Sequence, residues 1–75
     1  MEEVRLYNGS VKEVELEEHT NALAEIMVES IYGKNYKDND IIVEAYKELL
    51  ENLSCEAYDA VADDYKAALA EYFED

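Results

Sequence analysis

The side chains with chemistry of their own are one thiol, Cys55, one imidazole, His19, and twenty carboxylates. Nucleophilic catalysis needs a thiol or hydroxyl beside a base, and Cys55 and His19 stand 36 positions apart with no motif around either. The simpler expectation is a cysteine at a small core or helix-cap site and a surface histidine just before a helix. Glu17, Glu18 and His19 carry metal-ligand atoms, but two adjacent carboxylates and one imidazole are not a specific ligand pattern. Asp38 and Asp40 open like a calcium loop. Ile42 then fills the third ligand position, the glycine is missing, and Leu49 replaces the terminal glutamate. With Gly9 and Gly33 the only glycines, there is no phosphate cradle either. These residues point to a binding protein rather than an enzyme, with no cofactor and no metal.

The carboxylates are the unusual feature. Twenty acids against six bases give a net charge of −14. Residues 1–20 hold six acids and two bases, residues 21–40 four and two, and residues 41–75 ten and two, so the excess grows toward the C-terminus. Such a charge repels nucleic acid, anionic membranes and acidic substrates, and it favours a basic protein surface. It also serves solubility. In the last twenty residues, EAYDAVADDYKAALAEYFED, seven acids face the single Lys66, while Tyr58, Tyr65 and Tyr72 recur one heptad apart.

The elements that position these groups follow from length and pattern. Seventy-five residues make one small domain, residues 1–75, whose stability must come from apolar packing because one cysteine cannot form an internal disulfide. A hydrophobic share of 49% supports a folded globule rather than an acidic disordered tail. The acidic start MEEVRLYNGS is neither a signal nor a transit sequence, no apolar run reaches membrane-spanning length, and the expected location is cytoplasmic, in a cell or in an infected host.

Residues 1–17 read as a hairpin turning at Asn8-Gly9. A two-residue turn sets Leu6 opposite Val11 but Val4 opposite Glu13, so a bulge or a three-residue turn pairing Val4 with Val14 is needed to give one apolar face. Helix one is expected over residues 21–32, capped by Thr20 or Asn21 and ended by Gly33 in a left-handed cap, with Leu23, Ile26, Met27 and Ile31 inward. Helix two, residues 40–52, is capped by Asp38 or Asp40 and buries Ile42, Ala45, Tyr46, Leu49 and Leu53. Helix three, residues 55–73, is capped by Ser54, and Tyr58, Val61, Tyr65, Leu69 and Tyr72 fall within an arc of roughly 80°. The fold class is α+β: a short N-terminal β-hairpin followed by three α-helices, the last two forming an antiparallel αα-hairpin.

The tyrosine stripe serves as core or as the seam of a homodimer. Tyr7, Tyr32 and Tyr36, near element ends, are the better candidates for exposed contacts. A helix of 20 residues is about 30 Å long, so seven acids give one charge per roughly 4 Å, close to the 3.4 Å spacing along a DNA strand. The partner-binding residues expected on this basis are Asp59, Asp63, Asp64, Glu71 and Glu74, extended by Glu44, Glu48 and Glu51 of helix two, with Tyr36 as an aromatic contact.

Small size and acidity are shared with acyl carrier proteins, but Ser54 lies in NLSCEA rather than in their Asp-Ser-Leu motif, and the hairpin has no place in that fold. Colicin-type immunity proteins are also small, acidic, helical and tyrosine-using; their paired-tyrosine signature is not present. In length, charge and lack of catalytic motifs the whole chain resembles the phage-encoded DNA mimics that block restriction enzymes or CRISPR effectors. That resemblance implies an inhibitor that occupies the basic nucleic-acid groove of a nuclease or effector complex. The alternative expectation is an antitoxin or immunity-type partner of a basic toxin, or a dimeric module acting through an apolar tyrosine patch.

Overall fold

A computed structural model describes residues 2–5 and 9–74. Leu6, Tyr7 and Asn8, and with them the Leu6–Val11 pairing and the first half of the proposed turn, lie outside the described residues. On either side of them β1 (Glu2–Arg5) and β2 (Val11–Val14) pair antiparallel, with Val4 opposite Lys12 and Arg5 opposite Val11. This is the parity that a two-residue turn cannot give. Val4 and Val14 are diagonal neighbours rather than direct partners, and both are buried on the same face. Lys12, between them, lies over the Phe73 ring with its ammonium 5.8 Å from the centroid.

Four helices follow: α1 (Leu16–Tyr32), α2 (Asn39–Glu51), α3 (Cys55–Asp64) and α4 (Lys66–Phe73). The fold is α+β, with a hairpin and four helices rather than three. Helix α1 starts five residues before the expected Asn21. Glu15 occupies the N-cap position without a side-chain cap, and Glu17 and Glu18 complement the helix dipole in the first turn. Thr20, expected as a cap, instead donates its hydroxyl to the Leu16 carbonyl at 2.8 Å from inside the helix. At the other end Gly33 closes α1 through its N–H to the Glu29 carbonyl. Its φ of 86° with ψ of 164° lies beyond the left-handed helical region, in backbone space that is essentially reserved for glycine.

Helix α2 begins after Asp38, whose side chain makes no cap hydrogen bond; Asp40 lies in the first turn. Its buried stripe differs in phase from the expected one. Val43 and Leu50 are buried and Ile42, Tyr46 and Leu53 are half-buried, while Ala45 and Leu49 face solvent. The run Ile41-Ile42-Val43 and the pair Leu49-Leu50 supply apolar residues for either phase, and the rest of the core selects between them.

The expected third helix is two. Ser54 caps α3 as foreseen, its Oγ accepting from the Ala57 N–H at 3.2 Å. At Tyr65, with φ −106° and ψ 12°, the helix is interrupted by one non-helical residue whose N–H still reaches the Val61 and Ala62 carbonyls. The buried face turns with it. Before the break Tyr58, Val61, Ala62 and Tyr65 pack inward; after it Leu69, Ala70 and Phe73 are buried and Tyr72 is exposed, a rotation of roughly 70° on a helical wheel. Helix α4 thereby packs on both β1 and α1. The main helix pair is α1 with α2, not the expected antiparallel hairpin of the second helix with the third. The core joins Val4 and Val14 of the hairpin to Leu23 and Val28 of α1, Val43 and Leu50 of α2, and Leu69 and Phe73 of α4.

Candidate functional site

His19 is the clearest departure from the sequence expectation. It lies inside α1 and is buried, not on the surface before a helix. Its Nδ1 is 2.9 Å from the Tyr58 hydroxyl, which is 2.8 Å from Thr20 Oγ1. The protons in this chain have one order. Thr20 spends its only hydrogen on the Leu16 carbonyl, so the Tyr58 O–H donates to Thr20 and His19 Nδ1–H donates to Tyr58. The network ties α3 to the first turns of α1 by groups that could have been read as catalytic. Cys55, expected at a core or cap site, is the exposed first residue of α3. Among the described residues no three of His, Cys, Asp and Glu come together as a metal-binding group.

The eight acids selected from the sequence, Glu44, Glu48, Glu51, Asp59, Asp63, Asp64, Glu71 and Glu74, are all exposed. They do not form one rod. The break at Tyr65 leaves Glu56, Asp59, Asp63 and Asp64 on α3, a helix about 15 Å long that keeps one charge per roughly 4 Å. Glu71 and Glu74 belong to the other arm, where Glu71 shares a surface depression with Glu29 and Lys34. Asp59 and Asp63 border a polar groove that also holds Arg5 and Lys66. Among the described residues the sole ion pair, Lys47 Nζ to Glu17 Oε1 at 3.3 Å, involves none of the eight.

Glu51 of α2 and Asp59 of α3 do come together, on the rim of a cleft of about 570 Å³ whose wall includes Leu16, Leu50, Leu53 and Tyr58. Sequence reasoning missed this cleft because Leu16 was assigned to the hairpin region. Leu16, Thr20 and Leu23 at helical spacing were the signal that α1 extends far enough to build it.

The tyrosines divide by environment. Tyr58 and Tyr65 are half-buried against their own core, so this part of the stripe is engaged within the chain. Tyr32 and Tyr36 are both 43% exposed, with ring centroids 5.0 Å apart at the α1–α2 turn. Tyr72, expected in the stripe, is 47% exposed and donates its O–H to Glu25 Oε2 at 2.6 Å.

That bond to Glu25, followed by burial and the nearby charges of Glu25, Glu18 and Glu29, pushes the Tyr72 phenol up from 10.0 to about 12. A raised folded-state value means the interaction is fully present below the ordinary value of 10.0 and lost as pH rises through about 12. From neutral pH up to pH 10 the stability difference between wild type and Tyr72→Phe is therefore constant, and it shrinks above pH 10, a small effect on so exposed a ring. Denaturant midpoints of the two proteins across this window test it, and phenolate absorbance missing its late-titrating step in Tyr72→Phe assigns the group.

No helix among the described residues is long and apolar enough to cross a membrane. Comparison of the chain with protein-family models, curated proteins and solved structures finds no match.

Proposed function

We propose that the protein is a binding inhibitor whose acidic surface on α2 and α3 occupies the basic nucleic-acid groove of a target protein, a restriction nuclease or CRISPR effector. The observation that carries this reading is the set of six exposed carboxylates, Glu44, Glu48, Glu51, Asp59, Asp63 and Asp64, none in an ion pair among the described residues. Unneutralised acids on so small a domain cost stability through self-repulsion, a cost that a basic partner removes. Steering by this field raises the association rate at low salt. The exposed Tyr32–Tyr36 pair adds aromatic contact area of the kind favoured at protein interfaces. On this reading the α3 acids supply charge density over about 15 Å, less than a full helical turn of DNA.

The test uses purified restriction nucleases and CRISPR effectors loaded on labelled duplex DNA. The protein displaces DNA from at least one of them, and its affinity for that target falls steeply as salt is raised. Reversing Asp59, Asp63 and Asp64 to lysine changes the net charge from −14 by +6 to −8 and abolishes displacement while circular dichroism stays unchanged. Displacement that survives both high salt and charge reversal would overturn the proposal, as would no displacement across the panel.

A further inference from the structure

The cleft between α1, α2 and α3 has a division of chemistry that the acidic surface alone does not explain. Its apolar lining is Leu16, Leu50, Leu53 and the ring of Tyr58. The polar groups at its base are already engaged with one another, since the Thr20 and Tyr58 hydroxyls share a hydrogen bond and Thr20 also serves Leu16. Leu16 is 52% exposed although it begins the longest helix, so apolar area stands open to water at the mouth. Around that mouth acids predominate: Glu17, Glu51 and Asp59 line it, with Lys47 paired to Glu17 and with Arg5 and Lys66 in the neighbouring groove that Asp59 also borders. Glu51 and Asp59 are exposed and outside any ion pair among the described residues.

We propose that this cleft is an anchor site for a partner segment that inserts one bulky apolar side chain between flanking lysines or arginines. Charge complementarity chooses the occupant. A neutral apolar segment would leave Glu51 and Asp59 uncompensated, and a purely basic one would leave the leucine-lined floor wet. A second copy of this chain is the less favoured occupant, since it would bring a further net charge of −14 to the same rim. The inference deepens the acidic-surface reading and rests on it for the sign of the partner, while adding a requirement that charge mimicry lacks. An anchor buried at the centre of a charged rim is where interfaces concentrate their affinity.

Synthetic peptides with a central leucine or phenylalanine between lysines are compared by calorimetry with peptides of equal charge carrying alanine at the centre. The anchored peptides bind about 10- to 100-fold tighter, the value of burying one large apolar side chain. Cys55 lines the cleft and is exposed, so alkylating it with a bulky maleimide plugs the site chemically. Alkylation removes the anchor's advantage, and the Cys55→Ser protein given the same reagent keeps it. Equal binding of anchored and alanine peptides would overturn the cleft proposal and leave recognition by charge standing. An anchor advantage untouched by the plug would overturn it too, by placing the anchor elsewhere. If neither peptide binds at low salt the cleft proposal fails, and the displacement experiment then decides the acidic-surface reading separately.

Discussion

Leu23→Ala is expected to abolish cooperative folding at room temperature. Leu23 is fully buried near the middle of α1, in a core to which the hairpin, α2 and α4 all contribute. Removing most of its side chain costs the transfer energy of the lost carbons plus the cavity they leave, about 2–5 kcal/mol. A domain of this size holds a total stability of only about 3–5 kcal/mol, with charge repulsion working against it here. No disulfide is present to limit the unfolded state, since Cys55 is free. Circular dichroism during urea titration should show a sloping loss of helix in Leu23→Ala and a clear transition in Leu49→Ala, whose leucine is 57% exposed. The Leu49 change should stay within about 0.5 kcal/mol of wild type. Equal midpoints for the two variants would show that the core is not organised around α1.

What the sequence made legible is the set of signals that act locally. Ser54 caps α3 because a hydroxyl three residues before a free N–H needs no tertiary help. Gly33 ends α1 because few other residues accept its backbone angles, although the conformation is more extended than the left-handed cap expected. That Val4 and Val14 share one buried face was readable from their parity, although they meet diagonally rather than as the direct pair expected.

The parts that escaped depend on packing between elements. Nothing in YDAVADDYKAALAEY breaks a helix, as it has no proline or glycine, and the turn at Tyr65 exists because α4 seats Leu69 and Phe73 against β1 and α1. The early start of α1 was hidden by polar residues at buried positions. His19 and Thr20 interrupt the apolar pattern, and their burial makes sense only with the Tyr58 hydroxyl supplied from α3. The candidate acids are exposed as expected, while their division between α3 and α4 at Tyr65 was not visible in the sequence. The pairing of Glu51 with Asp59 across the cleft likewise required the helix arrangement.

Tyr58→Phe is the second change expected to have a large effect, and it decides between the two roles open to a tyrosine in this chain. The substitution keeps the ring and removes one oxygen. With it go the acceptor of the His19 Nδ1 bond and the donor to Thr20 Oγ1, both on side chains that are at most 4% exposed. Removing this partner from groups so buried costs about 1–3 kcal/mol, even though Thr20 keeps its bond to the Leu16 carbonyl. Tyr36→Phe, at an exposed ring, should fall within about 0.5 kcal/mol of wild type. The Thr20→Val/Tyr58→Phe double variant should cost less than the sum of its two single changes, because each single change already breaks the shared bond. Additive losses would mean that the two hydroxyls do not act together. If Tyr58 is structural, target affinity per folded molecule is unchanged in Tyr58→Phe while the unfolding midpoint drops. If its hydroxyl is instead a contact point for a partner, affinity falls with little loss of stability.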